Sequence, residues 1–131
     1  MPTAHQIMKR MLAARRIAVV GMSEGRISGH IGAFLAANGR EVVPVNPMQA
    51  TVNGLTCYPS LASVPGRIDL VNVFRRPEFC ADVVRDAIAV GAGGVWLQSG
   101  IISEEAERLA AEAGLPFVQD RCIMVELAGG D

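Results

Sequence analysis

Five short runs of Val, Ile and Leu are apolar almost throughout instead of alternating apolar with polar residues. This constrains the fold more than any other feature of the chain. They are Arg16 to Gly21 (RIAVVG), Glu41 to Asn46 (EVVPVN), Asp69 to Phe74 (DLVNVF), Gly94 to Gln98 (GVWLQ) and Pro116 to Gln119 (PFVQ). A strand with one face in water alternates its residues, so runs of this kind belong to strands covered on both faces by helices. The intervening segments carry helical spacing. Ile31, Phe34 and Leu35 follow the i, i+3, i+4 rule, and Asn38-Gly39 closes that segment. Pro77 to Val90 opens with Pro and Glu78, presents Phe79, Val83, Ala87 and Val90 as an apolar face, and stops at Gly91. Ser103 to Ala113 has Ser103 as N-cap, Glu104, Glu105 and Glu107 in its first turns, and Gly114 beyond its end.

Strand, helix and strand alternating at so short a period predict an α/β fold. We expect a three-layer, doubly wound parallel sheet of about five to six strands with right-handed crossovers. The irregular stretch is Pro47 to Arg67, punctuated by Asn53-Gly54, Pro59 and Pro65-Gly66. It predicts a short edge strand at Leu55 to Tyr58 and a turn around Ser60 to Val64 in place of the second crossover helix. Residues 1–14 read as a short amphipathic helix, and residues 128–131 as a frayed tail. With 131 residues, half of them hydrophobic, the chain reads as one domain with one core.

Charge narrows the function. Twelve basic residues against thirteen acidic ones leave a net charge of -1, so no global positive field gathers nucleic acid or an anionic membrane. Lys9 is the single lysine, and contacts to anions therefore fall mostly to guanidinium groups. Charges interrupt every apolar run before it reaches the roughly 18 residues of a spanning helix, and the N-terminus lacks the pattern of a secretory signal. A cytoplasmic protein is expected. Cys57, Cys80 and Cys122 are odd in number and far apart, which predicts reduced thiols, with neither a disulfide framework nor a metal site.

In a doubly wound sheet, ligands bind beyond the carboxyl ends of the strands, where the strand order reverses. The first strand runs into Gly21, Met22 and Ser23, followed by Arg26 and Ser28, a glycine-containing turn opening a helix whose free N–H groups and dipole suit a phosphate. Ser23 stands where a dinucleotide fingerprint would have its second glycine. The same loop also reads as a plain connection in which Ser23 or Ser28 caps the helix. The second strand ends in Asn46-Pro47, without the carboxylate that an NAD-binding unit places there for the ribose hydroxyls. Asn46 could bond a ribose or a base edge, and Asn-Pro is equally a turn initiator. Phe74-Arg75-Arg76 ends the third strand and sets two guanidiniums against a helix N-terminus, a conflict that an anion between them would relieve. The alternative is that one arginine pairs with Glu78 or Asp82 while the other is solvated. Gln98, Ser99 and Gly100 end the fourth strand. Trp96 shares a face of the pleat with Gln98 and reads as core. Asp120-Arg121 reads as an ion pair, and Cys122 as a small buried hydrophobe.

A catalytic group is not evident. His5 and His30 lie in helical segments without a partner triad, and Glu104, Glu105, Glu107 and Glu112 form a solvated helix face, with no carboxylate pair spaced for acid and base work.

The ordered strand-end motifs IAVVGMSEGRISGHIGAFLAANGREVVPVNP, YPSLASVP, DLVNVFRRPE and VWLQSGIISEEAERLAAEAGLPFVQDRCIMVE resemble the small stand-alone coenzyme A-binding proteins. They are similar as well to the N-terminal Rossmann-like domain of the succinyl-CoA synthetase α subunit, and the likeness spans about residues 10 to 127. The resemblance implies a coenzyme A (CoA) or acyl-CoA ligand and no catalytic partner domain. It would put the pyrophosphate or 3′-phosphate on the loop from Gly21 to Ser28, Asn46-Pro47 beside the adenosine, and Phe74-Arg75-Arg76 and Gln98 to Gly100 along the cleft. The chain departs from the family in the short Glu24-Gly25 spacing before Arg26, which brings a carboxylate to an anion loop. A non-enzymatic CoA-binding domain is the leading expectation. An NAD(P)-dependent oxidoreductase or minimal acyl-CoA enzyme, and a structural or regulatory module with a vestigial cleft, are the alternatives.

Overall fold

A computed structural model describes residues 1–129. Five parallel strands form the main sheet: β1 (Arg16–Val20), β2 (Glu41–Val45), β5 (Leu70–Val73), β6 (Val95–Leu97) and β7 (Phe117–Val118). Their order is β2-β1-β5-β6-β7, so the sheet grows outward in both directions from the β1 and β5 pair. That reversal places the switch point of the doubly wound fold between the carboxyl ends of β1 and β5.

The predicted strands are all present, and their continuous apolar character has the expected cause. Ala18, Val20, Val43, Val45, Val71, Val73, Val95 and Leu97 face one side, packing on α3 (Pro77–Ala89) and α4 (Glu104–Glu112). Ile17, Val19, Val42, Leu70 and Trp96 face the other, against α1 (Ala4–Leu12), α2 (Ile27–Ala37) and α5 (Ile123–Ala128). Both faces are dry, so neither set of residues needed to be polar. Trp96 is fully buried and its indole Nε1 donates to the Arg121 carbonyl at 2.8 Å, which confirms it as core.

Helix ends follow the capping chemistry. Thr3 and Gln6 form a reciprocal capping box on α1, Ser103 Oγ accepts from Ala106 N on α4, and Gly39 turns the chain out of α2 at φ 85°. In α3, Val83 and Ala87 are buried as the spacing predicts, but Phe79 is exposed. It stands in the first turn, where its ring lies against Arg75 instead of the core. The irregular stretch is more structured than expected. Thr51–Val52 (β3) and Leu55–Thr56 (β4) form an antiparallel hairpin across Asn53-Gly54, both residues at positive φ, and only Tyr58 bridges to the main sheet, at Val45. A 3-10 turn at Leu61–Ser63 replaces the second crossover helix.

The C-terminus carries helix α5, which the sequence reading did not include. Ala128 belongs to it and Gly129 caps it, against the expectation of a frayed tail from residue 128; residues 130 and 131 lie outside the described residues. Among the described residues, no helix is long and apolar enough to cross a membrane.

Candidate functional site

The carboxyl ends of β1, β2 and β5 open into two adjoining cavities that share Gly21, Phe74 and Arg75. One, of about 530 Å³, lies over the switch point and is lined by Gly21, Ser23, Arg26, Ser28, Phe74, Arg75 and Arg76, together with Ile27, Pro77 and Ile101. The other, of about 420 Å³, runs toward α3 between Asn46-Pro47 and Val83-Asp86, with Val20, Val45 and Leu61 as apolar walls. Nine of the residues singled out from sequence thus line one continuous cleft.

Its electrostatic character comes from helix ends. Arg26 is the N-cap residue of α2 and Arg76 that of α3, and neither helix has a side-chain capping hydrogen bond. The first N–H groups of a helix have no partner within it and carry the positive end of the dipole, which Ser, Thr, Asp or Asn usually offsets. Here two such ends, each headed by a guanidinium, converge on one cavity. Among the described residues, neither Arg26 nor Arg75 lies within 4.0 Å of a carboxylate. Arg76 reaches Glu78 only at 4.0 Å with both side chains exposed, a contact that solvent screens to little. Asp82 is taken by Arg85 at 2.7 Å. Arg75 instead sits over the ring of Phe79, 4.7 Å from its centroid, so the exposed aromatic holds the guanidinium at the cleft mouth.

The loop from Gly21 to Ser28 is held from within. Ser28 is buried, and its Oγ accepts the Ser23 N–H at 2.9 Å, bracing the turn ahead of the helix. Asn46 Nδ2 donates to the Met22 carbonyl at 3.0 Å and to Ser23 Oγ at 3.2 Å, while Asn46 Oδ1 accepts from Met48 N. Asn46 is therefore a tie between two strand ends as well as a wall of the cleft. Glu24, the carboxylate on this loop, turns away and accepts from Asn53 N at 2.8 Å.

Several expected positions are used differently. Met22 is fully buried, its side chain lying over Gly32, so only its backbone belongs to the loop. Gln98 is buried as well: its Oε1 accepts from Asn72 Nδ2 at 3.0 Å and from Ile123 N at 2.9 Å, serving the start of α5. Ser99 and Gly100 are exposed and line neither cavity; Gly100 N donates to Asp120 Oδ1 at 2.7 Å. Asp120 and Arg121 do not pair with each other, since Arg121 reaches Glu126 at 3.3 Å. Asn72, fully buried and in register with Trp96, is a member of this polar cluster that the sequence reading passed over; its Oδ1 has no partner. Its one signal was an amide inside the apolar run DLVNVF.

The cysteines are free thiols. Cys80 is fully buried in the first turn of α3; burial pushes its thiol up to about 11, Arg75 opposing the shift in part and Glu78 adding to it. Burial also raises Cys57, which the Asn46 backbone partly offsets. Neither is a ready nucleophile at neutral pH.

Residues 15–128 match the family model described as the CoA binding domain. The chain belongs to that family. The chain is similar to the uncharacterized YneT of Bacillus subtilis (strain 168), 35% identical over 126 residues, which cover 95% of this chain and 93% of YneT. A solved structure of a hypothetical protein from Pyrococcus horikoshii OT3 superposes with a TM-score of 0.91 at 35% identity, covering 98% of this chain and 92% of that one. The acetate–CoA ligase (ADP-forming) I of Archaeoglobus fulgidus is 26% identical over 130 residues, covering 88% of this chain but only 19% of the ligase. The stretch similar to this chain therefore makes up nearly all of YneT and of the Pyrococcus protein and a minor part of the ligase.

Proposed function

We propose that this chain binds CoA or an acyl-CoA in the cleft beyond β1, β2 and β5, as a binding domain without catalysis of its own. The observation that carries the reading is the convergence of two uncapped helix N-termini, headed by Arg26 and Arg76, on the cavity that Arg75 also lines. The free N–H groups at the start of α2 and the guanidiniums are the donors a polyphosphate needs, α3 adds its dipole although its first residue, Pro77, has no N–H, and three arginines match a ligand with several phosphate charges. In this reading Ser23 donates its hydroxyl to a phosphate oxygen, and Asn46 and Pro47 flank the adenosine. The end of β2 carries Asn46 with no carboxylate beside it, which favours a ribose bearing a 3′-phosphate over the free ribose diol of NAD. Membership in the CoA-binding family supports the same ligand class.

Calorimetric titration with CoA, acetyl-CoA, dephospho-CoA, NAD and NADP tests it. CoA and acetyl-CoA bind more tightly than dephospho-CoA, and NAD least. At about 100 times the dissociation constant, CoA stabilises the fold by roughly 2.7 kcal/mol in a parallel thermal scan. Binding of NAD in preference to CoA refutes the assignment.

A further inference from the structure

The hairpin β3–β4 precedes the 3-10 turn in the connection between β2 and β5, and its turn reaches the loop that opens α2. Asn53, at φ 53°, directs its backbone N–H to Glu24 Oε1 at 2.8 Å and its side-chain Nδ2 to the Gly29 carbonyl at 2.8 Å. One residue of the hairpin turn thus grips the loop before α2 and the first turn of the helix itself. The hairpin is anchored in turn by Val52, fully buried among the α2-side core residues. Gly29 lies so close to the loop that a Cβ there would stand 2.4 Å from the Ser23 carbonyl oxygen, so loop and helix start are packed as one piece.

We propose that Glu24 and Asn53 form a clamp that positions the anion-binding loop; this rests on the CoA reading above and assigns a purpose to the hairpin. Glu24 is a carboxylate in a loop otherwise built for anions. Left pointing at the cleft it would repel a phosphate, whereas bound to Asn53 N its charge is turned aside and used to hold the loop shape. Glu24 acts through the loop and does not contact ligand. The Asn-Gly turn suits the task, because a left-handed residue at this position aims its N–H outward from the hairpin end, and Asn adopts that conformation with little strain.

The test compares Glu24→Gln, Glu24→Ala and Asn53→Gly, reading CoA affinity by calorimetry and amide hydrogen exchange of residues 23–27 in the free protein. Glu24→Gln keeps the acceptor and rescues both readouts. Glu24→Ala loses it, speeds exchange in the loop and weakens CoA by about fivefold, the scale of one exposed hydrogen bond. Asn53→Gly keeps the turn and its N–H but loses the Gly29 contact, and falls between the two. If both Glu24 variants bind CoA more tightly than the parent, Glu24 is only a repelling charge and the clamp is refuted. Unchanged loop exchange in Glu24→Ala refutes it as well. Should the parent protein fail to bind CoA, the functional reading falls, and the exchange measurement still decides the clamp.

Discussion

Gly21 and Phe74 meet so closely that a Cβ on Gly21 would lie 2.4 Å from the Phe74 carbonyl oxygen. These residues follow the two strands between which the sheet reverses, and the Phe74 N–H in turn donates to the Val20 carbonyl at 2.8 Å. The floor of the cleft is therefore backbone against backbone, with no room for a side chain. Gly21→Ala faces both the contact and the positive φ, and should destabilise the fold by about 2 to 4 kcal/mol in urea denaturation.

Replacing Arg75 and Arg76 together by Ala removes two of the three guanidiniums around the cleft. CoA affinity should fall at least about tenfold, while adenosine, which has no phosphate, keeps its affinity. Calorimetry of both ligands checks this, and equal losses would show that these arginines do not read phosphate. The parent should also lose CoA affinity as salt rises, more steeply than the double variant.

Gln98→Ala deprives Asn72 Nδ2 and the Ile123 N–H of their shared acceptor in a buried site. The cost should be about 1 to 3 kcal/mol of stability, read by denaturant titration, with faster amide exchange at the start of α5. CoA affinity should fall far less than in the arginine variant, because Gln98 lines neither cavity.

Cys80 should make the protein alkali-sensitive. Its folded value of about 11 lies above the ordinary 9.0, so the native state holds the thiol proton more tightly than the unfolded chain does. That contribution is complete below about pH 9 and is lost as pH rises through the folded value. Chemical denaturation between pH 8 and 11 should show the decline, and Cys80→Ala should flatten it. In the native protein at pH 8, iodoacetamide should modify the partly exposed Cys122 before the buried Cys57 and Cys80, as mass spectrometry would reveal.

The strands, the four longer helices and the α/β architecture were legible in the chain because each rests on a local period or cap. Ser103, Asn38-Gly39 and Pro77 announce helix ends within a few residues of where those ends lie. The arginine and glycine positions of the cleft were legible for a related reason: a strand end followed by a helix start is a local event, and topology brings such events together on one edge of the sheet.

What the sequence alone determined is which residues stand at strand ends and which alternate faces are apolar, since both depend on neighbours a few positions away. Tertiary structure alone decided which way those side chains are spent. Gln98 and Trp96 share a face as expected, yet the six-residue α5, too short to show a period, settles on that face and takes Gln98 as an acceptor. Asn53 and Glu24 are 29 positions apart and meet only when the hairpin folds over α2. A polar group buried by folding must find a partner wherever the packed chain supplies one, and that partner's distance along the sequence leaves no local trace.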